Sequence, residues 1–188
     1  MRLILFAIIL FIYIPVRTSA QGGNTNNLPI TVLELDGSDL DFGQIVSGTG
    51  VDTIPIEFSK VLSVSGARFL DVFVEISAGD ALLRNSDPSC QGDPTCSIPF
   101  TLEAAYANNG VNETGQSTPF SVNSNFAAAS FKILENGGNP SPFLVFLAQL
   151  FPNAFQSTAY IYIFGSINAG PALGGNYSNS ITVTVIHD

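Results

Sequence analysis

Tryptophan is absent from this 188-residue chain, histidine occurs once, cysteine twice, and lysine and arginine together only six times. Each shortage closes off a class of function. Beyond residue 20 only Lys60, Arg68, Arg84 and Lys132 are basic, against fifteen Asp and Glu, a net charge of −11. Binding a phosphate backbone needs clustered Lys and Arg, so nucleic acid is excluded as a partner and anionic membrane surfaces are disfavoured. The lone histidine, His187, is the penultimate residue. A Ser or Cys nucleophile elsewhere therefore has no credible histidine base, and the acids mark no pair of the kind a two-carboxylate hydrolase needs, so no catalytic residue is assigned. The apolar runs at residues 3–14 and 143–151 are both shorter than the ~20 residues of a spanning helix.

The first of those runs follows Arg2 and leads through Pro15 to Thr18, Ser19 and Ala20. That is the charged, apolar and small-residue order of a Sec-type signal peptide, expected to be cleaved after Ala20. A secreted chain would then begin at Gln21, with no membrane insertion after cleavage. Its 168 residues suffice for one sizeable domain with its own core. Residues 21–35 read as a polar N-terminal extension (QGGNTNN) followed by a first strand, and residues 36–188 as the domain proper. Cys90 and Cys96, with five residues between them in a Pro-, Asp- and Gly-rich stretch, are expected to form a peripheral disulfide. Two thiols without a nearby His or second Cys pair do not make a zinc site, and no cofactor is implied.

Along the rest of the chain short apolar or alternating runs are bounded by Gly, Asn, Ser, Asp or Pro, the all-β signal. Runs fall at residues 28–35, 40–46, 53–58, 69–77, 98–106, 126–134, 158–164 and 180–187. In the clearest, Leu70, Val72, Val74 and Ile76 share one face while Asp71 and Glu75 take the other. The last run alternates Ile181, Val183 and Val185 with Thr182 and Thr184. It is expected to close the fold or to offer itself to a partner. Residues 143–151 (FLVFLAQLF) are apolar on every face, so period cannot separate strand from helix; their aromatic and Pro-bounded character favours strand. Eight or nine short strands predict a β-sandwich, with a barrel as the runner-up.

Two features invite a binding role. Tyr160 and Tyr162 alternate and so share a face, the minimum for an aromatic platform that stacks on carbohydrate, although core packing accounts for them equally well. Asp36, Asp39 and Asp41 lie close together, but they lack EF-hand spacing and Asp-Gly-Ser is an ordinary turn; no metal is assigned and calcium there is left open.

Three segments carry a family resemblance. Residues 40–46 (LDFGQIV) resemble the Leu-x-Phe-Gly opening of secreted pilin-like domains of the spore coat U and archaic chaperone–usher pilus subunit type. Residues 74–84 (VEISAGDALLR) are similar to their strand and Ser-Ala-Gly turn, and residues 160–185 to their ending: a strand into Gly, an Ala-Gly turn, Gly-x-Tyr, and a Thr/Val-alternating last strand. The resemblance implies an immunoglobulin-like, fimbrial-type sandwich lacking one strand. A chaperone and then the N-terminal extension of the next subunit supply that strand. It further implies passage through the periplasm to the cell surface or exterior, and as partners like subunits, a periplasmic chaperone and an usher. Carried onto this chain, the assembly residues are Leu28, Ile30, Val32 and Leu33 as donor and Ile181, Val183 and Val185 as acceptor. A monomeric carbohydrate- or other ligand-binding module is the alternative.

Overall fold

Sustained period-two patterning becomes strand at most of the places it occurs. A computed structural model describes residues 16–17, 30–35, 39–48, 50–134, 141–151 and 155–187. Its strands begin with β1 (Val16–Arg17), β2 (Thr31–Glu34), β3 (Val51–Ile54), β4 (Lys60–Ala67) and β5 (Asp71–Ala78). They continue with β6 (Ala81–Arg84), β7 (Ser97–Ala107), β8 (Thr118–Pro119), β9 (Ser121–Asn123) and β10 (Phe126–Lys132). One helix, α1 (Pro142–Leu150), precedes β11 (Gln156–Asn168), β12 (Tyr177–Ser178) and β13 (Ile181–His187). Against the expected eight or nine strands, the described residues hold thirteen strand segments, four of them only two or three residues long.

The strands form an all-β sandwich. One sheet has the order β12-β6-β7-β11-β4-β2, with β3 also on β11 and β8 on β7; the other has the order β1-β13-β5-β10-β9. Taken in chain order, β2, β4, β5, β7, β11 and β13 occupy the places of strands A to F in an immunoglobulin-type sandwich. A-B-E-D run across one sheet as β2-β4-β11-β7, and C-F lie side by side in the other as β5-β13.

The core lies between the sheets because each long strand turns one apolar row inward. Val72, Val74 and Ile76 of β5, Val183 and Val185 of β13, Ile161 and Ile163 of β11, and Leu62 and Val64 of β4 join one buried cluster. Burying each such side chain contributes roughly 1.5–3 kcal/mol. The sheets are also tied by Asn125, in the tight turn between β9 and β10, where Ser124 and Asn125 both take positive φ, 47° and 56°. That is the geometry in which Asn is favoured over most residues. Its side chain accepts the Leu102 N–H at 2.7 Å and donates to the Phe100 carbonyl at 2.8 Å, crossing from the β10 sheet to β7.

Four sequence expectations are corrected. Residues 143–151 belong to a helix. The Ser141 hydroxyl accepts the Leu144 N–H at 3.3 Å and Pro142 sits in the first turn, so local capping decides what period could not. Residues 40–46 form no strand. The Asp41 carboxylate accepts the Gly43 N–H at 2.8 Å and Gly43 turns at φ 67°, while Leu40 and Phe42 plug the core without joining a ladder. Phe42 meets Phe100 edge-to-face with ring centroids 6.3 Å apart. In residues 53–58 the strand stops at Ile54, because Pro55 leads into a 3-10 turn at Ile56–Phe58 and Phe58 ends 78 % exposed. Finally β4, a full neighbour of β11, was not anticipated: its Ser63, Ser65 and Gly66 disguise an alternation carried by Leu62 and Val64.

Candidate functional site

Strand β13 is the last described element and takes the F place in the immunoglobulin-type order, so its outer flank is the place of strand G. Its inward row, Ile181, Val183 and Val185, is buried, while Thr182 and Thr184 are half-buried on the other face. One flank pairs antiparallel along its whole length with β5, from Ile181 opposite Ala78 to His187 opposite Val72. On the other flank, among the described residues, only β1 is present, with Val16 opposite Val183 and Arg17 opposite Thr184. Alternate residues of a strand direct N–H and C=O away from a given neighbour, and among the described residues the ladder on this flank extends over two residue pairs.

The direction of that pairing matters. A G strand following F by a hairpin would run antiparallel to it. Here β1 runs parallel to β13, which a hairpin cannot produce, so the flank takes its strand from a distant part of the sequence. The expected signal peptide and the polar lead that follows it otherwise lie outside the described residues, as does the cleavage position at Ala20.

The expected donor run behaves differently. Leu28 lies outside the described residues; Ile30 and Val32 pack against the core, and Leu33 is exposed. Strand β2 pairs antiparallel with β4, Thr31 opposite Ser65 through Glu34 opposite Leu62. The Glu34 carboxylate also meets the buried Lys60 ammonium at 3.2 Å, and the Ser63 hydroxyl donates to the Leu33 carbonyl at 3.3 Å. A donor role for these residues therefore requires β2 to leave β4 and the buried Lys60 ammonium to give up the Glu34 carboxylate.

Tyr160 and Tyr162 do share the outer face of β11, but they form no exposed pair. Tyr162 is fully buried against Ala105 and Ala107, and its hydroxyl donates to the Asn112 side chain at 2.9 Å. Burial raises its pKa above the ordinary tyrosine value of 10.0. The loop before β8 and the turn before β4 cover the face that a platform would need, which corrects the expectation of a two-ring surface. Of the candidate calcium ligands, Asp36 lies outside the described residues, and Asp41 is engaged in its own turn. Among the described residues no three His, Cys, Asp or Glu gather as a metal site would require.

At the end of the sandwich where β6 passes to β7, Cys90 and Cys96 form a disulfide, with Cα atoms 5.3 Å apart. Asp87 and Asp93 shape its loop. Each carboxylate accepts both the N–H and the hydroxyl of the residue two positions on, Ser89 at 2.9 and 2.8 Å and Thr95 at 2.8 and 2.7 Å. Those backbone N–H donors, chiefly, hold both carboxyls below the ordinary value of 3.8. Beside this loop lies a cleft of about 600 Å³ where Asp80, Gln91, Asn168 and Asn179 bring polar groups to walls that include Ala81 and Pro99. Sequence reading missed it, because its lining comes from four separate loops and strand ends.

No protein-family model matches the chain, and no curated protein matches it. Among the described residues no helix is long and apolar enough to cross a membrane. The disulfide is compatible with a location outside the cytoplasm.

Proposed function

We propose that this chain is a secreted structural or adhesive surface protein, without catalytic activity, that joins other polypeptides by strand addition along the outer flank of β13. The observation that carries the reading is that flank: a strand with a fully buried apolar row, in the F position, whose only described outer neighbour is a two-residue parallel strand from the far end of the sequence. An apolar strand edge of this kind is a template for main-chain pairing, and recognition by strand addition draws affinity from the ladder and specificity from alternate side chains. The pilin resemblance supplies the partners of the proposal: further copies of the chain, and a periplasmic chaperone and an usher on the way to the cell surface. Removal of residues 1–20 on export would withdraw β1 and leave the flank for such a strand.

The test is to purify the chain beginning at Gln21 and follow its mass by light scattering, alone and with synthetic peptides. Self-association is expected, together with conversion to a peptide-bound monomer of raised melting temperature when a peptide spanning residues 10–17 is added in excess. A monomer at high concentration whose melting no extended apolar peptide shifts would sink the proposal. In that case the cleft beside the disulfide favours the second reading, a monomeric module binding carbohydrate or another small ligand. Glycan-array binding abolished by Asn179→Ala would support it.

A further inference from the structure

Among the described residues, helix α1 and the residue after it hold the densest run of exposed large apolar side chains. Phe143, Leu144, Phe146 and Leu150, with Phe151 just past its end, are 43–66 % exposed, and no described side chain of the helix is buried. At 100° per residue these five fan over roughly 160° of the helix circumference. A contiguous apolar surface of this kind in water marks a contact site. Charge is missing here as well: between Glu135 and Asp188 the sequence has no Asp, Glu, Lys or Arg, whereas the rest of the chain beyond residue 20 carries nineteen charged residues.

We propose that α1 is a lipid-contact element that lies half-immersed in the interface of an uncharged bilayer. The second candidate occupant, α1 of another copy, is disfavoured on area: the exposed parts of these five side chains amount to roughly 500 Å², below the roughly 800 Å² per partner of a standard protein interface. A protein groove takes one narrow seam of a helix, at spacings of three and four, and would leave the margins of a 160° arc wet; a bilayer surface receives the whole arc. The backbone is prepared for an apolar medium. The Leu144 and Val145 N–H groups bond to the Ser141 carbonyl at 2.9 and 3.2 Å, and the Phe151 N–H bonds to the Leu147 carbonyl at 2.9 Å. The helix is too short to span, so contact is confined to the interface. An acidic chain with a neutral helix selects zwitterionic over anionic lipid, because contact removes no charge from water and adds no attraction to a negative surface. This departs from the expectation of no membrane insertion after cleavage, and it is independent of strand addition at β13.

The absence of tryptophan makes the test free of background. In the chain beginning at Gln21, Phe146→Trp places a single reporter on the arc. With vesicles of phosphatidylcholine its emission is expected to shift to the blue and to be quenched by brominated acyl chains. Adding Phe143→Asp and Phe151→Asp is expected to lower the vesicle-bound fraction at least about tenfold, with the melting temperature unchanged because these residues are exposed. If Phe146→Trp fails to fold, Leu150→Trp reports from the same arc. No shift by a folded protein at saturating lipid overturns the proposal. So does a shift that appears without lipid and grows with protein concentration, which would make a second copy the occupant, and so does binding only to anionic vesicles.

Discussion

The two sheets end in edges of opposite character. At β2 the outermost residues are mostly exposed, and the strand is held by a short ladder to β4 and by the pairing of Glu34 with the buried Lys60. At β13 the outermost full-length strand is among the most deeply buried in the molecule, and its outer neighbour is two residues long. A short, exposed edge with charge beside it is how a sheet stops pairing. An apolar edge with its core row intact is how a sheet continues. The comparison teaches that apolar patterning alone does not identify a donor strand: residues 28–35 and 181–185 look equally β-prone, yet among the described residues the first lies on a mostly exposed edge and the second carries a fully buried row.

The largest effect is expected at the closed edge. Glu34→Ala takes from the Lys60 ammonium, which is 3 % exposed, the carboxylate that lies 3.2 Å away. Losing one contact to a buried charge costs up to about 3 kcal/mol. Urea unfolding measures it. The double variant Glu34→Leu with Lys60→Met should recover most of the loss; failure to recover would mean that the pair does more than place β2. A smaller loss, roughly 2 kcal/mol, is expected from replacing both cysteines by Ser, since the bridge closes a loop with only five residues between its ends. Both edges should survive it, and complete unfolding would show that the staple holds more than its own loop.

The open edge is sharpened by a change that leaves stability alone. Thr184 is half-buried on the outer face of β13 and lies opposite Arg17 of β1. Thr184→Lys adds the residue that natural edge strands use against further pairing. The free energy of unfolding should stay within about 0.5 kcal/mol of the parent, while peptide capture or self-association weakens at least about tenfold, which corresponds to ~1.4 kcal/mol. Equal weakening by Thr31→Lys at β2 would erase the distinction between the edges.

How much of this was legible beforehand depended on whether period carried the information. In β5 and β13 an uninterrupted alternation fixed the buried face residue by residue: Val72, Val74 and Ile76, then Ile181, Val183 and Val185. Where other forces decide, period misled. Residues 40–46 alternate like a strand, but the Asp41 turn at Gly43 spends the backbone bonds locally while Leu40 and Phe42 still reach the core. Serines hid β4, because a small polar residue on a strand's outer face and one in a loop are alike in sequence. The face of Tyr162 was predictable and its burial was not, since the cover comes from a loop fifty residues away at Asn112. The parallel neighbour of β13 had no signal in composition or period, because register between distant segments is a property of the assembled sheet.

The smallest expected effect separates the disulfide end of the molecule from both edges by pH. Asp87 and Asp93 are fully exposed, and the N–H groups of Ser89 and Thr95 are the main cause of their lowered pKa values. A carboxyl whose folded pKa is depressed stabilises the folded state above its unfolded value and loses that contribution as pH falls through the folded value. Here the loss begins below about 3.8, so the loop from Asp87 to Ser97 should be indifferent to pH across the neutral and mildly acidic range and loosen only in strong acid. In a two-dimensional amide NMR titration the Ser89 and Thr95 resonances should inflect below the ordinary carboxyl value of 3.8, as protonation removes the acceptor each N–H uses. The amides of Thr31 and Val183 should not follow, because each belongs to a strand ladder, Thr31 opposite Ser65 and Val183 opposite Ile76. An inflection above 3.8 at Ser89 or Thr95 would remove the proposed cause, and a matching inflection at Val183 would mean that the open edge senses the loop through the sheet.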